Sequence, residues 1–309
     1  MDAAEPLTAA DLWPRHHGGV RVGVVDVGSN TVRLLVASGG ETIVQRRAIL
    51  GLGAAIEATG SIPPEQLAEV ADCVADWVKV ARRHRAERLQ VLVTSPGRQA
   101  ANGAELLELL AATARVPVRL VSAAEEGRLA FVGALSRTRD LGPGVIAVCD
   151  VGGGSAQITI GTQDGGAAWT RSIDIGSRRL ASRCLGDDPP GEAAVRRART
   201  ELAPYVESLV FPAPKVALAV GGSARSLKKL VGGTLGAAEL ERALDMLATT
   251  PADELAGEYD LDPGRLSTLT AGAVILASIQ ERLGVPFKVG RGGLREGAVL
   301  ELAARAEAA

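Results

Sequence analysis

The sequence predicts an α/β protein built from two similar lobes, on three observations. Apolar, alternating runs are separated by amphipathic segments of helix length, the pattern of a sheet with parallel neighbours. The stretch Val24–Val36, VVDVGSNTVRLLV, recurs at Val148–Ile160 as VCDVGGGSAQITI. The chain has 309 residues, 47% of them hydrophobic, enough for two domains of roughly 150 residues each.

The elements follow in order. Residues 1–18 carry acids and no apolar signal-sequence core, and read as a mobile tail. VRVGVVDV, TVRLLVAS and TIVQRRAIL alternate as strands joined by short turns. SIPPEQLAEVADCVADWVKVARR reads as a helix that Ser61 is placed to cap. Its prolines fall near the start, and Leu67, Val70, Ala71, Val74 and Val78 line one face. LQVLVTS and VPVRLVS are strands; GAELLELLAATA and EEGRLAFVGALSRT are helices. At Gly144 the plan begins again, with strand–turn–strand in GVIAVCDVGGGSAQITIG. EAAVRRARTELAPYVESLV is a helix, KVALAVGG a strand and SARSLKKL a helix start. Helices from Ala237 to Leu283, the strand PFKVGRGG and the helix LREGAVLELAARAEA complete the chain. The expected domains are 19–127 and 128–294, with a C-terminal helix near 295–309 packing back on the first. Small-molecule sites favour the cleft between such domains.

Composition excludes several classes. The net charge of −2, with 23% charged residues, argues against a nucleic-acid binder, which carries a basic excess. The longest apolar run, Ala271–Ile279, is far below the ~18 residues of a membrane span. Three cysteines, Cys73, Cys149 and Cys184, show no zinc-like spacing and fit a reducing cytoplasm. Of three histidines, only His84 is placed to serve a nucleophile, and ARRHRAER reads as a solvated helix end.

The chemistry concentrates at the repeated turns. Asp26 and Asp150 each end an apolar strand and precede a glycine turn. Gly28 and Gly152 are expected to take backbone angles other residues resist, and successive N–H groups there form an anion nest. Ser29, Asn30, Thr31 and Ser155 add donors. Such donors suit phosphate, and carboxylates beside phosphate imply a bridging Mg²⁺ or a water. The plain alternative is two ordinary hairpins with an Asp in each turn. In SAAEEGRLAFVG, Ser122 caps a helix and Glu125 favours its dipole, leaving Glu126 to hold a water. Arg98 follows a strand end, and its planar fork suits phosphate. Gly222 and Ser223 in VGGSARSLKKL open a helix, an anion site. Lys228 and Lys229 face different ways, so at most one reaches it. Arg171, Arg178, Arg179 and Arg183 form either a solvated surface or a basic wall for an anionic chain.

Taken together, VDVGSNTVRLLV, TSPGRQAAN, SAAEEGRLAFVGA, CDVGGGSAQITIG, GGSAR and GRGGLREG resemble the exopolyphosphatase/guanosine pentaphosphate phosphohydrolase family of the actin-like ATPase superfamily. The resemblance runs from about Arg21 to the C-terminus. It implies two actin-like (ribonuclease H-like) lobes with an interdomain phosphate cleft. It implies Mg²⁺-dependent removal of terminal phosphate from inorganic polyphosphate or of the 5′ γ-phosphate from guanosine pentaphosphate. By resemblance Glu126 activates water and Asp150 partners metal or water. Asp26, Asp150 and Glu126 are then the metal candidates. Ser29, Asn30, Thr31, Arg98, Gly152, Gly153, Gly154, Ser155, Gly222 and Ser223 are the phosphate-binding candidates. The family's first turn usually reads GSNS, and Thr31 keeps the hydroxyl. Pro96 and Gly97 depart from the family's common choices. Long members carry extra helical domains with paired His and Asp; this chain resembles the short, two-domain type. A homodimer is the expected assembly. Two rivals stand beside this reading: an actin-like kinase, for which no acceptor or adenosine pocket is identified, and a non-catalytic polyphosphate or alarmone sensor. The arginine-rich patch favours polyphosphate over guanosine pentaphosphate.

Overall fold

The computed structural model describes residues 19–308; the expected tail over 1–18 lies outside the described residues. The elements are β1 (Val22–Val27), β2 (Thr31–Ser38), β3 (Glu41–Ile49), α1 (Leu52–Thr59), α2 (Pro64–Arg83), β4 (Arg88–Val93), α3 (Ser95–Gln99), α4 (Gly103–Ala114), β5 (Val118–Leu120) and α5 (Ala123–Ser136). The second series is β6 (Ile146–Val151), β7 (Ala156–Thr162), β8 (Gly166–Ile173), α6 (Ser177–Cys184), α7 (Gly191–Glu207), β9 (Val216–Val220), α8 (Gly221–Val231), α9 (Ala237–Thr249), α10 (Ala252–Tyr259), α11 (Pro263–Leu283) and β10 (Phe287–Val289). α12 (Leu294–Glu307) closes the chain.

The repeat seen in the sequence is a repeat of topology. One five-stranded sheet has the order β3-β2-β1-β4-β5 and the other β8-β7-β6-β9-β10. In each, the strand that ends in the Asp-Val-Gly turn is central, and an Asp at its carboxyl end lies where open α/β sheets place ligands. β1 pairs antiparallel with β2 and parallel with β4; β6 pairs parallel with β9.

The chain forms two compact units. One runs up to Pro143 and adds Gly161–Ala168 and the segment from Gly292 onward; the other comprises Gly144–Ile160 and Trp169–Arg291. A boundary after residue 127 would cut α5, which is continuous to Ser136. The chain first passes from one unit to the other at Pro143/Gly144.

In the first unit the period-two alternation of β1 sorts its side chains between two cores. Val25 and Val27 pack with Val70 and Val74 of α2 and Leu106 and Leu110 of α4. Val22 and Val24 pack with Leu129 of α5 and Leu294, Ala298 and Val299 of α12. Asp26 follows in register on this second face. α5 and α12 approach backbone to backbone. A Cβ on Gly133 would lie 2.0 Å from the Gly293 carbonyl oxygen, and one on Gly297 would lie 2.0 Å from that of Leu129. Only glycine admits such contact, and it seats α12's first turn beside β1.

The apolar stripe of α2 is as expected: Leu67, Val70, Ala71, Val74 and Val78 are buried. Its start differs. Pro63 is the N-cap residue, with no side-chain cap. Asn102 instead clamps the entry, its Oδ1 accepting from the Ile62 N–H and its Nδ2 donating to the Ile62 carbonyl, both at 2.9 Å. His84 is the C-cap residue of α2. In the second unit α11 is buried along most of its length and carries the core, as a helix apolar all round must.

Candidate active site

The first unit gathers one set of site residues. Asp26 sits opposite Arg33 of β2. Its carboxyl is pushed above the usual range: burial is the main cause, Arg33 and Arg295 oppose it, and Glu296 adds to it. The turn after it is closed by the Gly28 N–H donating to the Thr31 carbonyl at 3.1 Å. Ser29 is buried and its Oγ lies 2.5 Å from Ser95 Oγ. The Ser29 and Asn30 carbonyls accept N–H groups from residues 50, 51 and 53, which fixes the turn to the start of α1. Thr31 is buried at the head of β2.

Arg98 and Glu126 form a pair within this unit. Ser122 caps α5, its Oγ accepting from the Glu125 N–H at 3.1 Å, as the SAAEE spacing predicts. Arg119 engages Glu125 at 2.6 Å. That leaves Glu126 to Arg98, whose Nη2 donates to Glu126 Oε2 at 2.7 Å while its Nη1 donates to the Val121 carbonyl at 2.7 Å. The side chains of this pair are only 19% and 12% exposed. Both terminal nitrogens of the guanidinium are therefore committed inside the protein, and the fork expected to grip phosphate also orients the glutamate.

The second unit repeats the plan with different packing. Asp150 pairs in register with Val220, and Gly221 opens α8 immediately after. A Cβ on Gly221 would lie 2.8 Å from Asp150 Oδ1, and Gly221 has φ +91°. Glycine is required twice over here, for the left-handed angle and for the close carboxylate. The Gly152 N–H donates to the Ser155 carbonyl at 3.0 Å, matching Gly28 and Thr31. Neither Gly28 nor Gly152 has a positive φ, which corrects the expected reason for these glycines. The carbonyls of Gly152 and Gly153 accept the N–H groups of Ser177, Arg178 and Arg179 at 2.9–3.2 Å, so the start of α6 docks on the turn. A Cβ on Gly176 would lie 2.5 Å from the Gly153 carbonyl carbon. Gly154 and Ser155 are buried in the turn, and Ser155 Oγ accepts from Gln157 Nε2 at 2.9 Å.

Gly222 and Ser223 lie in the first turn of α8, where unpaired N–H groups make an anion site. A Cβ on Gly222 would collide with Arg265 Nη1 at 1.6 Å, and Ser223 Oγ packs on Gly272. α11 thus brings a guanidinium to the α8 start. Lys229 is taken by Asp260 at 2.7 Å. The arginine patch is partly neutralised within its own unit: Arg179 pairs with Asp174 at 3.2 Å and Arg183 with Glu201 at 2.9 Å. Burial holds the Arg178 guanidinium below its usual pKa.

Four residues escaped the sequence reasoning. Ser95 partners Ser29, Arg265 covers Gly222, and Arg295 and Glu296 stand beside Asp26. Ser95 lies in the motif TSPGRQAAN and Arg295 and Glu296 in GRGGLREG, while Arg265 lies in no motif. No three His, Cys, Asp or Glu side chains converge among the described residues. Separate carboxylates do not make a zinc or calcium cage. Mg²⁺ is in general held through one or two carboxylates together with substrate phosphates.

The profile of the Ppx/GppA phosphatase family matches residues 35–306. Exopolyphosphatase 2 of Mycobacterium tuberculosis is 27% identical over 317 aligned positions, covering 92% of this chain and 98% of its own. Exopolyphosphatase 1 of Mycobacterium bovis is 29% identical over 303 positions, covering 91% and 88%. The crystal structure of the Aquifex aeolicus Ppx/GppA family member superposes with a TM-score of 0.78 at 25% identity, over 91% of this chain and 97% of that one.

Proposed function

The chain belongs to the Ppx/GppA phosphatase family, and from that premise we propose that it is an exopolyphosphatase, releasing terminal phosphate from inorganic polyphosphate by water attack. The observation that carries this reading is Glu126, anchored at 2.7 Å by Arg98 in the first turn of α5. A carboxylate held in one orientation is what a general base acting on water requires. Relatives of nearly the same length that bear the name exopolyphosphatase support the substrate class.

In this mechanism Glu126 orients the attacking water and takes its proton. Phosphate donors in the first unit are the backbone N–H groups of the turn at Ser29–Thr31; those in the second unit are the N–H groups of the turn at Gly153–Ser155 and of the α8 start at Gly222–Ser223. Arg98 holds Glu126, and its guanidinium places a positive charge beside that carboxylate. Asp150 in the second unit and Asp26 in the first are each candidates to hold Mg²⁺, which would neutralise phosphate charge when bound. Three free thiols, Cys73, Cys149 and Cys184, are consistent with work in a reducing cytoplasm. Among the described residues no helix is long and apolar enough to cross a membrane. A homodimer is the assembly we propose, read by light scattering.

The test is Glu126→Gln, which keeps shape and removes basicity. Turnover on polyphosphate should fall by about 10²–10⁴-fold while the variant still binds the polymer. Turnover within about threefold of wild type removes Glu126 from the base role.

A further inference from the structure

The second unit contains a cavity that the proposed hydrolysis does not use. It has a volume of about 250 Å³ and lies between the loop after α6, the α9–α10 junction and the first turns of α11. That is just under the roughly 300–1,000 Å³ of typical small-molecule sites. Its floor is apolar, formed by Leu185, Leu247, Leu255 and Leu266. Leu247, Leu255 and Leu266 are buried and belong to the unit's main core. These leucines make a fixed surface.

The charged groups that line this cavity all carry one sign. Asp187 and Asp188 line the cavity, and no Lys, Arg or His does. Both carboxylate oxygens of Asp188 accept from the Ala252 N–H at 3.1 Å, capping α10. Asp187 is exposed and forms no ion pair among the described residues. Thr270, only 4% exposed, lines the cavity from α11. Its hydroxyl makes no hydrogen bond among the described residues and is left to a partner in the cavity. Pro263, Ser267 and Thr270 recur at helical spacing, so α11 presents one continuous face to the space. Anionic ligands, phosphate included, meet two carboxylates and no cation here. The space suits a cation with an apolar stem.

We propose that this cavity binds a small alkylammonium compound. Its ammonium group sits at Asp187 and Asp188, its methylenes lie over the four leucines, and a neutral polar end meets the Thr270 hydroxyl. This inference does not depend on the hydrolytic reading.

The test is calorimetric titration of the full chain with 4-amino-1-butanol, n-butylamine and inorganic phosphate. Three results are expected: saturable binding of the amino alcohol, weaker binding of butylamine, and no phosphate effect on the amine isotherm. Asp187→Asn, an exposed change, should weaken binding at least about tenfold, in keeping with the loss of a charged hydrogen bond. Thr270→Val, which keeps the side-chain shape, should remove the preference for the amino alcohol over butylamine. No amine binding at millimolar concentration overturns the proposal. So does amine binding that both variants leave unchanged, since the cation would then sit elsewhere on the acidic surface.

Discussion

Replacing Arg98 with Met should separate the phosphate role that the sequence suggests for it from the positioning of Glu126 that the structure adds. The substitution removes two hydrogen bonds of 2.7 Å, one to the Val121 carbonyl and one to Glu126 Oε2. The pair is 19% and 12% exposed, so water recovers only part of the loss. Breaking a fully buried pair costs about 3–5 kcal/mol; the small remaining exposure brings the expected destabilisation to about 2–4 kcal/mol. The kinetic effect is separate. A Glu126 displaced on the order of 1 Å costs about 10²-fold in turnover. The assays are a chemical denaturation midpoint and steady-state phosphate release, with kcat and KM read apart. The expected outcome is a lower midpoint and a kcat about 10²-fold down with a KM changed only a few-fold. Arg98→Lys, which keeps charge but not the fork, should fall between. A kcat within about threefold of wild type, with only KM raised, would refute the positioning argument and leave Arg98 as a substrate contact.

Three further outcomes follow from packing and charge. Gly297→Ala forces a Cβ to within 2.0 Å of the Leu129 carbonyl and should destabilise the first unit by at least about 1–3 kcal/mol; an unchanged denaturation midpoint contradicts the backbone contact between α5 and α12. Gly221→Ala meets both φ +91° and Asp150 Oδ1 at 2.8 Å, and should lower phosphate release as well as stability; a variant with wild-type turnover means that Asp150 is not held there. Glu301 tests linkage. Burial alone would raise its pKa, but the hydrogen bond and charge of Arg128, with Arg305 and Arg119, hold it below 4.5. A depressed carboxylate pKa contributes stability above the unfolded-state value and loses it as pH falls through the folded value. Glu301→Gln should therefore be less stable than wild type at pH 7, with the gap closing below about pH 4; a gap independent of pH denies the ionic contribution.

Much of this molecule was legible because its signals are local. The apolar stripe Leu67, Val70, Ala71, Val74 and Val78 follows from helical period alone. The two Asp-Val-Gly stretches imply two equivalent sheets, and the strand orders agree. Ser122 caps α5 as its spacing requires. What stayed hidden depends on contacts far apart in sequence. Asn102 clamps Ile62 from 40 residues away, and no local pattern announces it. Arg295 and Glu296 reach Asp26 only because glycines let α12 return onto α5. Arg265 reaches Gly222 by the same kind of return along α11. Gly28 and Gly152 do not take the left-handed angle that a glycine turn suggests; beside Asp150 that angle belongs to Gly221.

The most direct measurement of the central claim is orthophosphate release with Mg²⁺ from short polyphosphate, long polyphosphate, guanosine pentaphosphate and ATP in parallel, with no acceptor added. The account predicts release from polyphosphate one terminal unit at a time, faster than from ATP, and abolished by chelation. No release from any polyphosphate, or release only when a phosphate acceptor is supplied, would contradict it.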